Sequence, residues 1–350
     1  MVKPVLIAER EIGPGLPCLL IAEAGVNHNG SLDMALRLVD AVVDAGADIV
    51  KFQTFKSEEV VTPQAPKADY QLQNSGRDES QLEMIKRLEL PEEAFSTIQS
   101  HCRERGIVFL STPFDCHSAD LLYGMGVPAF KIPSGEITNH PFLAHIARKG
   151  KPLIVSTGMS DLQEVANAVE VLHAAANREL VLLHCVSNYP AAPACVNLRV
   201  MKTLEERFGV PVGYSDHTEG TAIALAAAAM GACVIEKHFT LDRTLPGPDH
   251  RASIEPLELA AMVRSVRDVE AALGDGVKRP AAGEGNTAAV ARRSLVAAHD
   301  LRAGTVLTES MVAIRRPGTG LPPFRITWIL GRELKQDVAA GSLFTLEMLM

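Results

Sequence analysis

The sequence predicts an α/β protein: a closed (β/α)₈ TIM barrel followed by a small β-rich domain. Three observations support this prediction: short apolar runs that repeat, helical stretches between them, and a tail where the alternation stops. The runs are continuously apolar and rich in β-branched residues, as in parallel strands that are covered on both faces. The eight runs are CLLIAE (18–23), ADIVKFQ (47–53), IVFLST (107–112), AFKIPS (129–134), PLIVST (152–157), LVLLHCV (180–186), PVGYSD (211–216) and ACVIEKH (232–238).

The stretches between the runs have helical features. In SLDMALRLVDAVVDAG (31–46), Ser31 suits a helix N-cap and Gly46 suits the end of the helix. An apolar stripe is formed by Leu32, Leu36, Val39 and Val43. Eight strand–helix units over about 280 residues match a closed barrel in size. A doubly wound open sheet is the alternative, but eight successive units favour closure.

The alternation of runs and helices ends near residue 280. The stretch PAAGEGNT (280–287) is rich in Pro and Gly, which is typical of a linker. Beyond it come short β-type runs and glycine turns without helices between them. We therefore predict a catalytic barrel over residues 1–280, a linker at 281–287 and a separate small domain at 288–350.

Composition and charge restrict the class of function. The chain has 350 residues, of which 47% are hydrophobic and 22% charged, as in soluble globular enzymes. A net charge of −8 argues against a nucleic-acid surface and against a polybasic membrane patch. The six cysteines contain no CxxC pair and indicate a reducing compartment. Because no signal-peptide pattern is present and the apolar stretch 221–235 is too short to span a membrane, we expect a cytoplasmic protein.

Two lysines lie within strands that are otherwise apolar. In a barrel of this kind the active site lies at the carboxyl ends of the strands. Lys51 and Lys131 occur there, and a buried lysine is costly unless it is paired or bound to an anion. One interpretation is a salt bridge to an inward carboxylate such as Glu23. The other is a site for phosphate or carboxylate, completed by hydroxyl donors from Thr112, Ser134 and Ser156. No GxxxxGK[ST] or GxGxxG motif supports a nucleotide.

Two histidines end the last two predicted strands. His217 and His238 would be neighbours in a barrel, and two imidazoles at adjacent strand ends can share a divalent ion. Either histidine alone could be a hydrogen-bonded rim residue, but the pair beside Asp216 and Glu236 favours a metal. Nitrogen ligands with oxygen neighbours suit Mn²⁺, Co²⁺ or Mg²⁺, and Zn²⁺ stays open. We expect Glu236 to support the metal ligands and strand alternation to turn Lys237 away.

Motifs along the whole chain resemble the sialic acid (nonulosonate) synthase family. They are IAEAGVNHNGSLDMA, GADIVKFQTF, FLSTPFD, FKIPSGEITN, STGM, GYSDHT, EKHFTLD, PGPDHRAS and, in the tail, RRPG. The resemblance implies a metal-dependent transferase that condenses phosphoenolpyruvate with the open-chain aldehyde of an N-acetylated hexosamine. The methylene carbon of phosphoenolpyruvate would attack C1 of the sugar, and water would add to C2. Loss of phosphate by C–O cleavage would then give a nine-carbon α-keto acid.

The resemblance also implies roles for individual residues. His217 and His238 would hold the metal, most typically Mn²⁺, and Glu23 and Glu136 would handle protons. Phosphoenolpyruvate would be held by Lys51, Thr112, Lys131, Ser134, Ser156 and Ser215. The sugar would be oriented by Gln53, Tyr189 and Asp249, with Ser187 where several relatives have Asn. The tail resembles the antifreeze-like (SAF) domain, which implies a domain-swapped homodimer in which Arg316 closes the other subunit's site over the N-acetyl group.

The sequence does not decide between two sugar substrates, and two other functions are alternatives to the synthase. DYQLQ (69–73) and DESQLEMIKRLEL (78–90) resemble the branch that makes N,N'-diacetyllegionaminate from 2,4-diacetamido-2,4,6-trideoxy-mannose. N-acetylmannosamine, giving N-acetylneuraminate, is second, and Arg292 stands where several N-acetylneuraminate synthases carry Phe. A synthase for phosphorylated sugars would need further basic residues. A non-catalytic carbohydrate- or ice-binding protein would not need Lys51, Lys131 and two histidines at strand ends.

Overall fold

The computed structural model describes residues 2–75 and 79–350. These residues form two compact units, Met1–Gly274 and Asp275–Met350. The division precedes the predicted boundary at 280, because the last barrel helix ends at Gly274. The predicted linker also overlaps a helix of the second unit, since alanines follow directly on the Pro- and Gly-rich stretch. Asp78, which begins DESQLEMIKRLEL, lies outside the described residues.

Eight parallel strands form the barrel. They are β3 (Leu19–Gly25), β4 (Ile49–Thr54), β5 (Val108–Pro113), β6 (Phe130–Ile132), β7 (Leu153–Ser156), β8 (Leu180–Cys185), β9 (Val212–Asp216) and β10 (Val234–His238). Neighbouring strands follow the order β5-β4-β3-β10-β9-β8-β7-β6, and β5 lies alongside β6 at the closure. Each predicted apolar run overlaps one of these strands, and β3, β4 and β5 extend one or two residues beyond their runs. The prediction of a (β/α)₈ barrel is therefore confirmed.

Within the described residues, a helix follows each barrel strand on the outside of the barrel. These helices are α1 (Leu32–Ala45), α5 (Glu92–Arg105), α6 (Cys116–Gly124), α7 (His140–Ala147), α8 (Leu162–Ala174), α9 (Val200–Phe208), α10 (Ala222–Ala229) and α11 (Pro256–Leu273). Three short helices lie in the connection between β4 and α5. They are α2 (Ser57–Val60), α3 (Asp69–Ser75) and α4 (Gln81–Leu88).

Helix α1 shows how local sequence sets an element. The side chain of Ser31 accepts a hydrogen bond from the backbone N–H of Met34, and Gly46 ends the helix at φ 79°. The predicted stripe was only partly right, because Val39 is fully buried but Leu32, Leu36 and Val43 are half-buried. The fully buried face consists of Ala35, Leu38, Val39, Val42 and Ala45.

An N-terminal hairpin that the sequence did not predict packs with the amino ends of the strands. It consists of β1 (Val5–Ile7) and β2 (Arg10–Ile12). Its apolar residues join Leu19, Leu110 and other strand side chains in one buried cluster inside the barrel. This half of the barrel is consequently apolar, and the polar cavity is confined to the carboxyl ends of the strands.

The second unit is small and β-rich, as predicted. It contains α12 (Glu284–Ala291), the antiparallel strands β11 (Ser294–Ala297) and β12 (Val312–Arg315), and α13 (Ile326–Ile329). Its own core includes Leu295, Leu301, Leu307, Ile329 and Phe344. Among the helices of the described residues, none has the length and apolar character needed to cross a membrane.

Candidate active site

A cavity of about 420 Å³ opens at the carboxyl ends of the barrel strands. It lies where active sites of this fold occur. Of the predicted site residues that belong to the barrel unit, the structure brings all except Glu136 to the cavity walls. Those lining the cavity are Glu23, Lys51, Gln53, Thr112, Lys131, Ser134, Ser156, Ser187, Tyr189, Ser215, His217, His238 and Asp249.

Strand geometry explains why these side chains converge. Successive residues of a strand point to opposite faces, so Lys51 and Gln53 both face the barrel interior. Phe52, between them, packs in the outer core against the helices. Glu23 of β3 lies opposite Lys51 in the strand register. The pattern of apolar runs interrupted by single charges thus becomes a ring of charges at one end of the barrel.

Two lysines and two glutamates form a buried chain of opposite charges. Lys51 pairs with Glu23 and donates a hydrogen bond to Thr112 Oγ1 at 2.9 Å. Glu236 lies 3.3 Å from Lys131 Nζ and 3.6 Å from Lys51 Nζ. The salt bridge between Lys51 and Glu23, one of the two interpretations of this lysine, is therefore present, and Lys51 also lines the cavity. The pairing offsets the cost of burying all four charges.

The pKa values of these buried lysines and glutamates are shifted in different directions. Burial raises the pKa of Glu23 against the effect of Lys51, and the charge of Glu236 adds to the rise. Burial opposes ionisation of Glu236 as well, but Lys131 and Lys51 outweigh it and lower its pKa to about 2. Burial also lowers the pKa of Lys131. Of these two carboxyl groups, Glu23 is consequently the one whose pKa shift favours the protonated form.

Hydroxyl groups surround the lysines and complete an anion-binding surface. Ser156 Oγ is buried and has no hydrogen-bond partner among the described residues. Ser134 Oγ accepts the backbone N–H of Gly158 at 2.9 Å, and the Ser134 side chain also hydrogen-bonds Cys185. Ser215 Oγ donates to Glu236 at 3.2 Å. A buried hydroxyl without a partner is uncommon in folded proteins, and an anion beside the lysines would supply the acceptor.

The chemistry of the two histidines fits the binding of a divalent ion. Their ring centroids lie 5.3 Å apart. His217 Nδ1 lies 2.8 Å from the carbonyl oxygen of Val186 and 3.7 Å from Cys185 Sγ, which places a hydrogen on Nδ1. Burial lowers the pKa of His217, but Cys185 and Val186 outweigh it and raise the pKa, so Nε2 would bind an ion on loss of its proton. Burial and the neighbouring His217 lower the pKa of His238 well below its ordinary value, so its imidazole is neutral. His238 Nδ1 is buried without a hydrogen-bond partner among the described residues.

The remaining ligands of such an ion would not come from this cluster. Within residues 2–75 and 79–350, no group of three or more His, Cys, Asp and Glu side chains is arranged to hold a metal. An ion bound by His217 and His238 would therefore keep positions for water or substrate oxygens, as catalytic rather than structural sites do.

Aromatic rings continue from the histidines toward the rim. The ring of Tyr189 lies 4.1 Å from that of His217 and 5.6 Å from that of His238. Tyr70, which the sequence did not single out, follows at 4.9 Å from Tyr189. Asp249 lines the same region, and burial raises its pKa to about 6. This side of the cavity combines ring faces with a polar acceptor, as sugar-binding sites do.

The predicted residue Glu136 is not brought to this cavity. Glu136 accepts a hydrogen bond from Asn139 Nδ2 at 2.7 Å and does not line the cavity. The cause is the turn Ser134–Glu136, which directs the carboxylate along the chain toward α7. The prediction that Glu136 handles protons therefore has no support from its position. Arg316 belongs to the second unit, where its Nε donates to the carbonyl oxygen of Ala291 at 3.0 Å.

The sequence also underestimated Glu236. It was expected to support the metal ligands, but it lines the cavity between the two lysines. Cys185, a further lining residue, was read only as a buried cysteine. Its position at the last residue of β8, beside Ser187, was the available signal.

Lys237 points away from the cavity, as strand alternation predicted. It forms a completely buried ion pair with Asp216, 2.8 Å between Nζ and Oδ2. Asp216 Oδ1 also accepts the N–H and the hydroxyl of Thr218 at 2.9 and 2.8 Å. Lys237 and Asp216 are opposite each other in the register of β10 and β9. The pair therefore holds together the two strand ends that present the histidines.

We expect Lys237→Met to lower the free energy of unfolding by about 3–5 kcal/mol, because it leaves Asp216 buried and unpaired. Urea denaturation measures this change. The matched control is Lys202→Met, which breaks the exposed pair with Glu206 and should cost about 0–1 kcal/mol. A cost for Lys237→Met no larger than that of the control would contradict the structural role assigned to the pair.

The closed barrel, its buried charges and the two histidines at neighbouring strand ends are the features of a (β/α)₈ enzyme with a polar cavity at the strand ends. The sequence comparison is specific: the NeuB family profile matches residues 38–278, and the SAF domain profile matches residues 292–350. The chain belongs to the NeuB family. The predicted resemblance to nonulosonate synthases and the predicted SAF tail are thereby confirmed.

Similar proteins cover nearly the whole chain. The N,N'-diacetyllegionaminic acid synthase of Legionella pneumophila is 48% identical, over 94% of each chain. The protein of the same name from Campylobacter jejuni is 47% identical, over 90% of this chain and 95% of its own. Among solved structures, the N-acetylneuraminic acid synthetase of Leptospira borgpetersenii has a TM-score of 0.72 and 35% identity, covering 82% of this chain and 95% of its own.

Proposed function

We propose that this protein condenses phosphoenolpyruvate with 2,4-diacetamido-2,4,6-trideoxy-mannose and releases phosphate, giving N,N'-diacetyllegionaminate. The main support is the meeting, in one cavity, of Lys51, Lys131 and the unpartnered hydroxyl of Ser156 with the two histidines His217 and His238. The similarity to the synthases of Legionella pneumophila and Campylobacter jejuni favours this sugar over N-acetylmannosamine.

The lysine side of the cavity would hold phosphoenolpyruvate. Lys51 and Lys131 provide positive charge, and the hydroxyls of Ser134 and Ser156 provide donors in a water-poor site. A protonated Glu23 would remove one competing negative charge from the partner of Lys51. The enolpyruvyl group would then be held with its methylene carbon toward the histidines.

The histidine side would receive the aldehyde of the open-chain sugar. A divalent ion held by His217 and His238, Mn²⁺ in this proposal, would polarise the carbonyl group. Tyr189 would pack against the sugar chain, and the carboxylate of Asp249 would accept a hydrogen bond from a sugar hydroxyl. Glu23, fixed by the hydrogen bond from Gln53 Nε2 to its Oε1 at 3.1 Å, would supply the proton that the aldehyde oxygen needs when the carbon–carbon bond forms.

Phosphate release tests this proposal. Metal-stripped protein is given back Mn²⁺ and incubated with phosphoenolpyruvate and each sugar separately. We expect sugar-dependent phosphate release, with a higher kcat/KM for the diacetamido sugar than for N-acetylmannosamine. Phosphate release that does not depend on any sugar, or none at all, would refute the proposal. The homodimer that the resemblance predicts is tested separately, by the molar mass in solution from light scattering.

A further inference from the structure

We infer that an apolar wall in the connection between β4 and α5 selects the far end of the sugar, and that it accepts methyl groups and excludes a phosphate. This inference rests on the proposed function and specifies its substrate. The apolar wall is defined by five side chains that line the cavity: Val60, Val61, Met84, Ile85 and Leu88.

The charge distribution of the cavity separates its two ends. Among the described residues that line it, the lysines are Lys51 and Lys131, both at the strand ends, and there is no arginine. Among the described residues, the lining side chains contributed by 57–75 and 79–90 are uncharged. Besides the wall they include Ala68 and three polar side chains without formal charge, Tyr70, Gln71 and Gln81. A phosphate on the far end of the sugar would lie against this region without a cation among these described lining residues.

The wall is held by a small apolar core of its own. Phe55 and Leu88 are buried in a cluster with Val26, against which Val60 and Ile85 pack. This cluster is separate from the main core around the barrel strands. The side chains of the wall are therefore fixed by packing, and a polar group placed against them would lose hydrogen bonds to water without replacement.

Two contacts place the wall beyond the reacting end of the sugar. The ring of Tyr70 packs against Tyr189, which packs against His217. This part of the 57–90 connection therefore lies one ring further from the histidines than Tyr189 does. Asn74 Nδ2 donates to the carbonyl oxygen of Pro248 at 2.7 Å, next to Asp249. Since C1 of the sugar must react near the histidines, its C4–C6 end extends toward this connection.

The diacetamido sugar matches this surface in chemistry. It carries a methyl group at C6, where N-acetylmannosamine has a hydroxymethyl group, and an acetamido group at C4. The C6 methyl group and the methyl group of the C4 acetamido substituent both suit the apolar wall. The amide side chain of Gln81 can bond the amide of the C4 substituent, since it offers a donor and an acceptor.

The test measures sugar preference in Ile85→Gln. Ile85 is only partly buried, on α4. We expect kcat/KM for the diacetamido sugar to fall about 10–100-fold, the preference over N-acetylmannosamine to fall with it, and KM for phosphoenolpyruvate to change less than about twofold. Leu82→Gln is the matched control, because Leu82 lies on the same helix but does not line the cavity. It should keep the wild-type preference.

A second, shape-conserving variant separates a change of sugar preference from a loss of folding. Val61→Thr conserves the side-chain shape and should shift the preference in the same direction as Ile85→Gln. An unchanged preference in a folded Ile85→Gln protein and in Val61→Thr would overturn the inference, as would efficient use of a 6-phosphorylated hexosamine by the wild type. Absence of sugar-dependent phosphate release with every sugar would instead refute the proposed function, and the inference with it.

Discussion

Replacing His238 by alanine should lower kcat/KM about a thousandfold or more and abolish Mn²⁺ binding, because it removes one of the two nitrogen ligands that we propose for the ion. Loss of several kcal/mol of charge stabilisation at the carbonyl corresponds to such a factor. His217→Ala should have the same effects on kcat/KM and on Mn²⁺ binding. The hyperfine signal of free Mn²⁺ in electron paramagnetic resonance measures binding without reference to turnover.

His145→Ala is the control for these variants. His145 pairs with Asp120 at 2.7 Å, away from the cavity, so activity and Mn²⁺ binding should stay within about twofold of the wild type. Full activity of thoroughly metal-stripped wild-type protein would contradict the metal assignment. Unchanged Mn²⁺ affinity in both His217→Ala and His238→Ala would contradict the location of the site.

The second large effect is expected for Lys131→Met. This change removes one of the two lysines that face the cavity and should reduce kcat/KM for phosphoenolpyruvate by about 100-fold or more, since truncating a buried charged partner costs about 2–5 kcal/mol. Calorimetric titration with phosphoenolpyruvate measures the binding part of this effect directly. Affinity for the sugar should change much less, because the histidines and Asp249 are untouched.

Folding must be separated from binding in that experiment. Lys131→Met leaves Glu236 with Lys51 as its cation at 3.6 Å, so thermal unfolding is recorded beside each titration. Lys149→Met provides the control, since Lys149 pairs with Asp120 at the barrel exterior. A folded Lys131→Met protein with wild-type affinity for phosphoenolpyruvate would refute the assignment of the anion site.

The sequence predicted the barrel because its signals are local. A parallel strand covered on both faces is a continuous apolar run, and Ser31 and Gly46 mark the ends of a helix by their own side-chain and backbone chemistry. The N-terminal hairpin escaped prediction because its strands have three residues each, too few for a period-two pattern. The short helices α2–α4 are also hard to predict from sequence, because their position depends on packing against the apolar cluster around Phe55.

The site was predictable to the extent that it lies on strands. Once the barrel is recognised, Lys51, Lys131 and His238 must meet at one end, and alternation turns Lys237 outward. Tyr70 and the apolar wall could not be found in this way, because the path of a long connection is decided by tertiary contacts. The same holds for Glu136, whose direction is set by a single turn after β6.

The identity of the carbon product tests the central claim most directly. Purified protein with Mn²⁺, phosphoenolpyruvate and the diacetamido sugar should yield one phosphate for each sugar consumed. Mass spectrometry should then show a keto acid whose mass equals that of the sugar plus pyruvate. Pyruvate as the sole carbon product of phosphoenolpyruvate, with the sugar recovered unchanged, would contradict the claim that this cavity joins the two substrates.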